Sequence, residues 1–207
     1  ESLLYGLEAL HQCGAYEIFL PELAACAGVK QKAQYHAYDV LAHTLHATAA
    51  APAELSIRLA MLLHDVGKPK ALAEHGKMHG HEIAGMNLAQ EALGRLRCPN
   101  ALRREATLLV RWHMYDLKGE ARACKIRKRF VEMGKDIAHK LCDVREADVH
   151  GSGLWDGPVP TAERWREILS CMEREGAPFV ESELACTGDD IAQWLSLKPG
   201  KRIGEIK

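Results

Sequence analysis

No apolar run in these 207 residues approaches the ~20 needed to cross a bilayer, so no membrane-spanning helix is expected. No C-x-x-C pair occurs among the seven cysteines, Cys13, Cys26, Cys98, Cys124, Cys142, Cys171 and Cys186. They are scattered among apolar residues at helical spacing. That pattern reads as reduced thiols of a cytoplasmic protein and excludes a disulfide frame or a cysteine-held zinc clip. No stretch alternates convincingly between apolar and polar, so no strand is expected. Neither charge dominates: 27 Lys and Arg stand against 28 Asp and Glu, a net charge of −1. This excludes a basic nucleic-acid footprint over the whole chain, and any attraction for phosphate must be local. There is no internal repeat and no low-complexity segment. Glu1 is not an initiator methionine and no signal-peptide pattern follows it. The chain is therefore expected to be processed or cut from something longer.

What is present is helical periodicity from end to end. Hydrophobic residues make up 47% and charged residues 27%, ordinary values for a globular protein with one substantial domain. The spacing predicts helices over 2–12 and 21–27, then 36–50, then one opened by Pro52 and closed by His64. The last of these is apolar nearly all round near its end and should be the buried centre. Residues 66–80, with Gly67, Pro69 and Gly76, read as a polar loop. Further helices are predicted over 81–97, 99–113, 124–132 and 136–149, with a charged linker at 116–123. The run Gly151-Ser152-Gly153-Leu154-Trp155-Asp156-Gly157-Pro158 is the clearest break. A helix over 161–175, a short one after Thr187 and a possible start at Lys201 complete the pass. The expected fold is all-α: an N-terminal lead-in over 1–30, a helical bundle over 31–154, and a small helical extension over 155–207.

Eleven histidines are many for this length. His64 and Asp65 stand together where the apolar helix stops, followed by Val66-Gly67-Lys68. His43 precedes them in a helix, and Asp148 ends a much later one. Helix ends of this kind can converge in an antiparallel bundle, where metal sites are built from facing side chains. Two imidazoles and two carboxylates suit a borderline or hard divalent ion, and the lack of cysteine ligands argues against structural zinc. His43, His64, Asp65 and Asp148 are the ligands implied by a resemblance to the HD superfamily. His81, at a helix start, and His113, at a helix end, would complete a second ion bridged by Asp65, or else hold the phosphate or protonate a leaving group. Lys68 would orient Asp65 or neutralise substrate charge. Asp39, one turn before His43, would orient that ring or stand as an exposed acid. His36, two turns before His43, either faces the pocket too or, as the preferred reading, is a partly buried structural residue like His46, His75 and His79; His11, His139 and His150 read as surface or packing residues. The basic segment Lys125-Ile126-Arg127-Lys128-Arg129-Phe130 reads first as a solvated helix face with Ile126 and Phe130 inward. The alternative is a phosphate or RNA contact, with Arg129 as its candidate.

The set His43, His64-Asp65, Asp148 resembles the signature of the HD superfamily of metal-dependent phosphohydrolases. Several stretches carry the likeness further: Leu20-Pro21-Glu22-Leu23-Ala24-Ala25-Cys26-Ala27-Gly28-Val29-Lys30-Gln31, His36-Ala37-Tyr38-Asp39-Val40-Leu41-Ala42-His43-Thr44-Leu45, Leu62-Leu63-His64-Asp65-Val66-Gly67-Lys68-Pro69, Gly80-His81-Glu82, Val110-Arg111-Trp112-His113-Met114, Thr187-Gly188-Asp189-Asp190-Ile191, and Leu197-Lys198-Pro199-Gly200-Lys201-Arg202-Ile203-Gly204-Glu205-Ile206. In this order they resemble the C-terminal half of bacterial CCA-adding tRNA nucleotidyltransferases and related poly(A) polymerases. The nucleotide-adding head of that family needs a Gly-Ser turn followed closely by Asp-x-Asp. Gly151-Ser152 has no such pair behind it, and Asp189-Asp190 reads as a helix N-terminal cap. No nucleotide addition by these residues is expected.

The resemblance implies a hydrolase for nucleotide-type phosphomonoesters or 2',3'-cyclic phosphodiesters. Asp65, Lys68, His81 and His113 would be its catalytic residues, and Lys68, His81, His113 and Arg129 would contact substrate. One or two divalent ions per chain (Mg, Mn, Ni, Co, Fe or Zn) are its expected cofactor. The alternative is a non-catalytic helical module that binds tRNA.

Overall fold

The computed structural model describes residues 2–180, 183–198 and 200–206. Glu1 in the predicted lead-in, Pro199 in the tail motif and Lys207 at the end of the predicted extension lie outside them. Every regular element among the described residues is a helix, as expected. No helix among the described residues is long and apolar enough to cross a membrane.

The chain opens with α1 (Ser2–Gln12), a short α2 (Ala15–Phe19) and α3 (Pro21–Ala24). Gly14, at φ 73°, turns α1 into α2 in the left-handed conformation that glycine adopts without strain. Sequence periodicity missed α2 because five residues are too few to show a period. A connector then leads to α4 (Val40–Ala50). The predicted start at His36 is four residues too early. Asp39 caps α4, its carboxylate accepting from the backbone N–H of Ala42 (2.8 Å) and of Gly28 (2.7 Å). An N-cap has extended backbone and stops the helix there. The same bonds correct the reading of Asp39 as a partner of the His43 ring.

Next come α5 (Leu55–Leu63) and α6 (Lys68–His75). The predicted polar loop over 66–80 is thus half helix. Gly67, Pro69 and Gly76 are its punctuation: proline is tolerated in a first helical turn, and Gly76 at φ 65° closes the last by donating to Leu72. His75 and His79 are exposed, not partly buried as expected, because α6 and the turn behind it face solvent. The remaining helices are α7 (His81–Arg95), α8 (Asn100–Trp112), α9 (Ala123–Met133), α10 (Lys135–Gly151) and α11 (Pro160–Arg174). The tail holds α12 (Gly188–Trp194) and α13 (Lys201–Ile206). Thr187 and Asp190 form a reciprocal capping box on α12, as expected for that acidic pair.

The long helix α10 is the axis of the bundle, packing against α4, α5, α8, α9 and α11. Trp165 of α11 and Phe130 of α9 are fully buried against one another, and Ile126 points inward with them. Burial of side chains this size stabilises by roughly 1.5–3 kcal/mol each. Two contacts set the distances that matter for the site. A Cβ on Gly151 would overlap Ala47, whose backbone N would lie 2.6 Å away, so α10 crosses α4 at near-backbone contact. A Cβ on Gly67 would run into the His81 carbonyl and the Gly85 amide, so the turn after α5 lies directly against α7.

Gly151→Ala is expected to destabilise by about 1–3 kcal/mol, the cost of overpacking a tight contact. Gly6→Ala, on an exposed part of α1 with no atom within 4 Å, should be neutral or stabilising by up to about 1 kcal/mol. Paired denaturant melts of the two variants check this.

Candidate metal centre

Three of the candidate ligands sit where helices stop. His64 is the residue after α5, His113 the residue after α8, and His81 the first residue of α7. The last carbonyls of a helix have no intrahelical donor. Here they are used: His64 Nδ1 lies 2.6 Å from the Met61 carbonyl and His113 Nδ1 2.7 Å from that of Val110. His81 does the same with Met78, in the loop before α7, at 2.7 Å. Only an N–H can meet a carbonyl, so Nδ1 carries the proton in each ring. In the neutral ring Nε2 is then left as a lone pair, the form in which imidazole binds a metal.

Those lone pairs face one another. His43 Nε2 lies 3.1 Å from His64 Nε2 and 3.1 Å from Asp148 Oδ1. His81 Nε2 lies 3.1 Å from His113 Nε2. Between the two groups stands Asp65, with one oxygen for each. Its Oδ2 is 3.2 Å from His64 Nε2 and 3.6 Å from His43 Nε2, and its Oδ1 is 3.1 Å from His81 Nε2 and 3.8 Å from His113 Nε2. Yet Oδ1 makes no well-formed hydrogen bond. Donor atoms crowded at these spacings, with lone pairs converging, fit the edges of a coordination shell with bonds of about 2.1 Å. Ligand atoms of His43, His64 and Asp148 lie within 4.8 Å of one another, as do those of Asp65, His81 and His113. All six predicted ligand candidates are brought together, in two triads that can each hold a divalent ion.

Both carboxylates stay ionised in spite of burial. Burial works against ionisation of Asp65, but His64 and Lys68 outweigh it and hold the carboxyl well below its usual range. Asp148 is depressed in the same way, burial being overcome by bonds to His43 and His64. Burial also disfavours a charged His64, and the two carboxylates outweigh that and lift the imidazole to about 10. A proton on His64 thus supplies positive charge when no ion does. His113, deeper among imidazoles, is pushed down to about 3 by burial and by His64 and His81. It offers a lone pair at any ordinary pH.

Lys68, buried, donates to Asp65 Oδ2 at 2.5 Å and to Gln31 Oε1 at 2.6 Å. Arg129 is not part of this cluster. Its guanidinium lies over the Trp112 ring, 4.6 Å from the centroid, and pairs with Glu132. Trp112 also lines a cavity of about 150 Å³ with Glu82, Arg111, Met114 and Tyr115, next in chain to His81 and His113. Two neighbours escaped the sequence reading as site residues, Arg145 and Gln31, and a third, His36, was weighed there but preferred as structural. Arg145 donates to Asp148 Oδ2 (3.3 Å) and to the Leu117 carbonyl (3.1 Å), turning Asp148 Oδ1 toward the histidines. Its i,i+3 spacing from Asp148 was the available signal. Gln31 had none. His36, read as structural, lies edge-on to the His43 ring with centroids 4.5 Å apart.

The HD domain family matches residues 34–150, which span every one of the six ligand candidates. The chain belongs to the HD domain family. Among curated proteins it is 31% identical over 215 residues to the A-adding tRNA nucleotidyltransferase of Deinococcus radiodurans, covering 97% of this chain and 48% of that protein. It is 42% identical over 196 residues to the multifunctional CCA protein of Neisseria meningitidis, covering 88% of this chain and 46% of that one. With the multifunctional CCA protein of Halorhodospira halophila it shares 45% identity over 114 residues, covering 53% of this chain and 28% of that one. The chain thus spans about half the length of relatives that it matches nearly throughout.

If His81 and His113 hold a second ion, the Mn²⁺ load is two ions per chain and falls to one in His113→Ala; a load of one in the unaltered chain leaves those two residues to the phosphate. Elemental analysis after desalting checks the count. Chelation should lower stability by about 2.7 kcal/mol relative to ion held at a hundredfold its Kd, read as a fall in Tm.

Proposed function

We propose that this HD-domain protein is a metal-dependent phosphohydrolase for nucleotide-type phosphomonoesters or 2',3'-cyclic phosphodiesters. The observation that carries the reading is Asp65, whose two oxygens face two separate triads of metal-binding atoms. A bound divalent ion supplies an activated water at neutral pH and neutralises phosphoryl charge. The chain's own residues do the rest. His43, His64, Asp65 and Asp148 hold one ion, and His81 and His113 hold a second ion or the phosphate. Lys68 keeps Asp65 ionised and fixed in orientation. Burial of the imidazoles, none more than 3% exposed, keeps bulk water from competing for the reacting groups. Asp148, whose side chain is 15% exposed, marks the side open to solvent. Arg129, held flat against Trp112, is the proposed contact for a substrate group outside the centre. A cytosolic setting fits seven free cysteines.

A second reading has its own support. The relatives named above are tRNA nucleotidyltransferases and CCA proteins, and this chain matches about half of each of two of them. The chain would then be a helical module that grips tRNA. Its basic helix α9 presents Lys125 and Lys128 to solvent. Such contacts make affinity fall steeply with salt.

Asp65→Ala is expected to abolish cleavage of 2',3'-cyclic AMP and 2'-AMP, at least a thousandfold, with the helical circular dichroism unchanged. Full hydrolysis by this variant would sink the enzymatic reading. Tight, salt-sensitive tRNA binding in a chelator, with no ester cleaved under any divalent ion, would favour the binding module.

A further inference from the structure

The connector between α3 and α4 carries two polar groups that find no partner. Gln31 is the first. An ammonium group only donates, so Lys68 compels Gln31 to present its oxygen, at 2.6 Å. The amide NH₂ is thereby turned away from Lys68. That nitrogen is buried and has no acceptor. His36 is the second. Its ring is seated edge-on against His43, and its Nδ1 is buried without a partner. Unpaired buried groups are costly and rare in folded proteins. Both lie on one short segment beside the metal centre, one tied through Lys68 to Asp65 and the other against His43.

The fixed donor defines the chemistry of any group that would meet it. An NH₂ group needs an oxygen or another acceptor. A carboxylate at this place would add a third negative charge beside Asp65 and Asp148, which a structural partner would have to neutralise. An oxygen that arrives together with metal ions meets no such penalty. We propose that Gln31 and His36 form the substrate-facing wall of the metal centre, with the Gln31 amide donating to a phosphoryl oxygen and His36 contacting the same group. Lys68 then serves as a positioning residue. Its ammonium is committed to Asp65 and Gln31, and it sets the amide that meets the phosphate. This assignment rests on the phosphohydrolase reading for its substrate, although it concerns binding.

The test uses the full chain loaded with Mn²⁺, inorganic phosphate as the probe in calorimetry, and 2'-AMP turnover as a second readout. Gln31→Ala and Gln31→Leu should leave the metal count and the circular dichroism unchanged and weaken phosphate binding about tenfold or more. KM for 2'-AMP should rise with it. His36→Gln should behave in the same direction. Unchanged phosphate affinity in both Gln31 variants would overturn the proposal, since water alone would then satisfy the amide. Parallel loss of metal would also overturn it, because Gln31 would then act only by holding Lys68 and Asp65. A wild type that binds phosphate in a Gln31-dependent way but cleaves no ester would leave this inference standing and remove the hydrolytic reading. Normal turnover with Gln31 variants indistinguishable from wild type would do the reverse.

Discussion

Imidazole lone pairs held 3.1 Å apart repel one another, and between His81 and His113 the architecture of this protein makes that repulsion unavoidable. The proton positions that would relieve it are taken. In three of the four rings the Nδ1 proton is committed to a backbone carbonyl, so the Nε2 atoms cannot all turn into donors. Between His81 and His113, both locked in this way, only a positive charge resolves the conflict, whereas His43, its Nδ1 unpartnered, can also carry its proton on Nε2 toward His64 or Asp148. A proton on His64 supplies positive charge in part, and a divalent ion does so fully. The two carboxylates, kept ionised against the cost of burial, make the same demand from the other side.

This arrangement depends on helix ends. The spare carbonyls of α5 and α8 lock His64 and His113, a use that the interior of a helix cannot offer. His43 shows the contrast: it lies within α4, and its Nδ1 is left without a partner. The ends must then be brought close. Gly151 against Ala47 carries Asp148, one turn earlier on α10, to His43, one turn earlier on α4. Gly67 against His81 and Gly85 brings the turn after α5 up to the start of α7. Glycine is required at both positions by contact distance, since neither has a left-handed backbone.

The pairing of His64 with Asp65 was legible because packing alone gives an apolar helix no reason to end in two metal-binding groups. Asp148, 105 residues from its partner His43, was legible only through family resemblance, because no local period connects them. Asp39 shows where residue type misleads. A carboxylate one turn before a ligand has the spacing to orient it, but the same residue type is favoured as an N-cap, and backbone geometry decided for the cap. In α6, glycine and proline were read as signs of a loop when they mark the two ends of a helix. Gln31 and Arg145 could not be singled out. Their importance lies in which atoms they meet across the fold, and nothing in their local sequence encodes that.

The cost of the centre bears on which function the fold is built for. Each buried polar group left unsatisfied costs about 1–3 kcal/mol, against a net stability for a typical domain of about 5–15 kcal/mol. Asp65 Oδ1, His43 Nδ1, His36 Nδ1 and Gln31 Nε2 are all in that condition at one place. A bundle whose task was only to present a basic surface would lose nothing by replacing them with packed apolar side chains, and such replacements are often neutral or stabilising. A bundle that binds ions and a phosphate recovers the cost on loading. The polar interior supports the proposed metal and phosphate site, and a surface role for α9 gives no account of it.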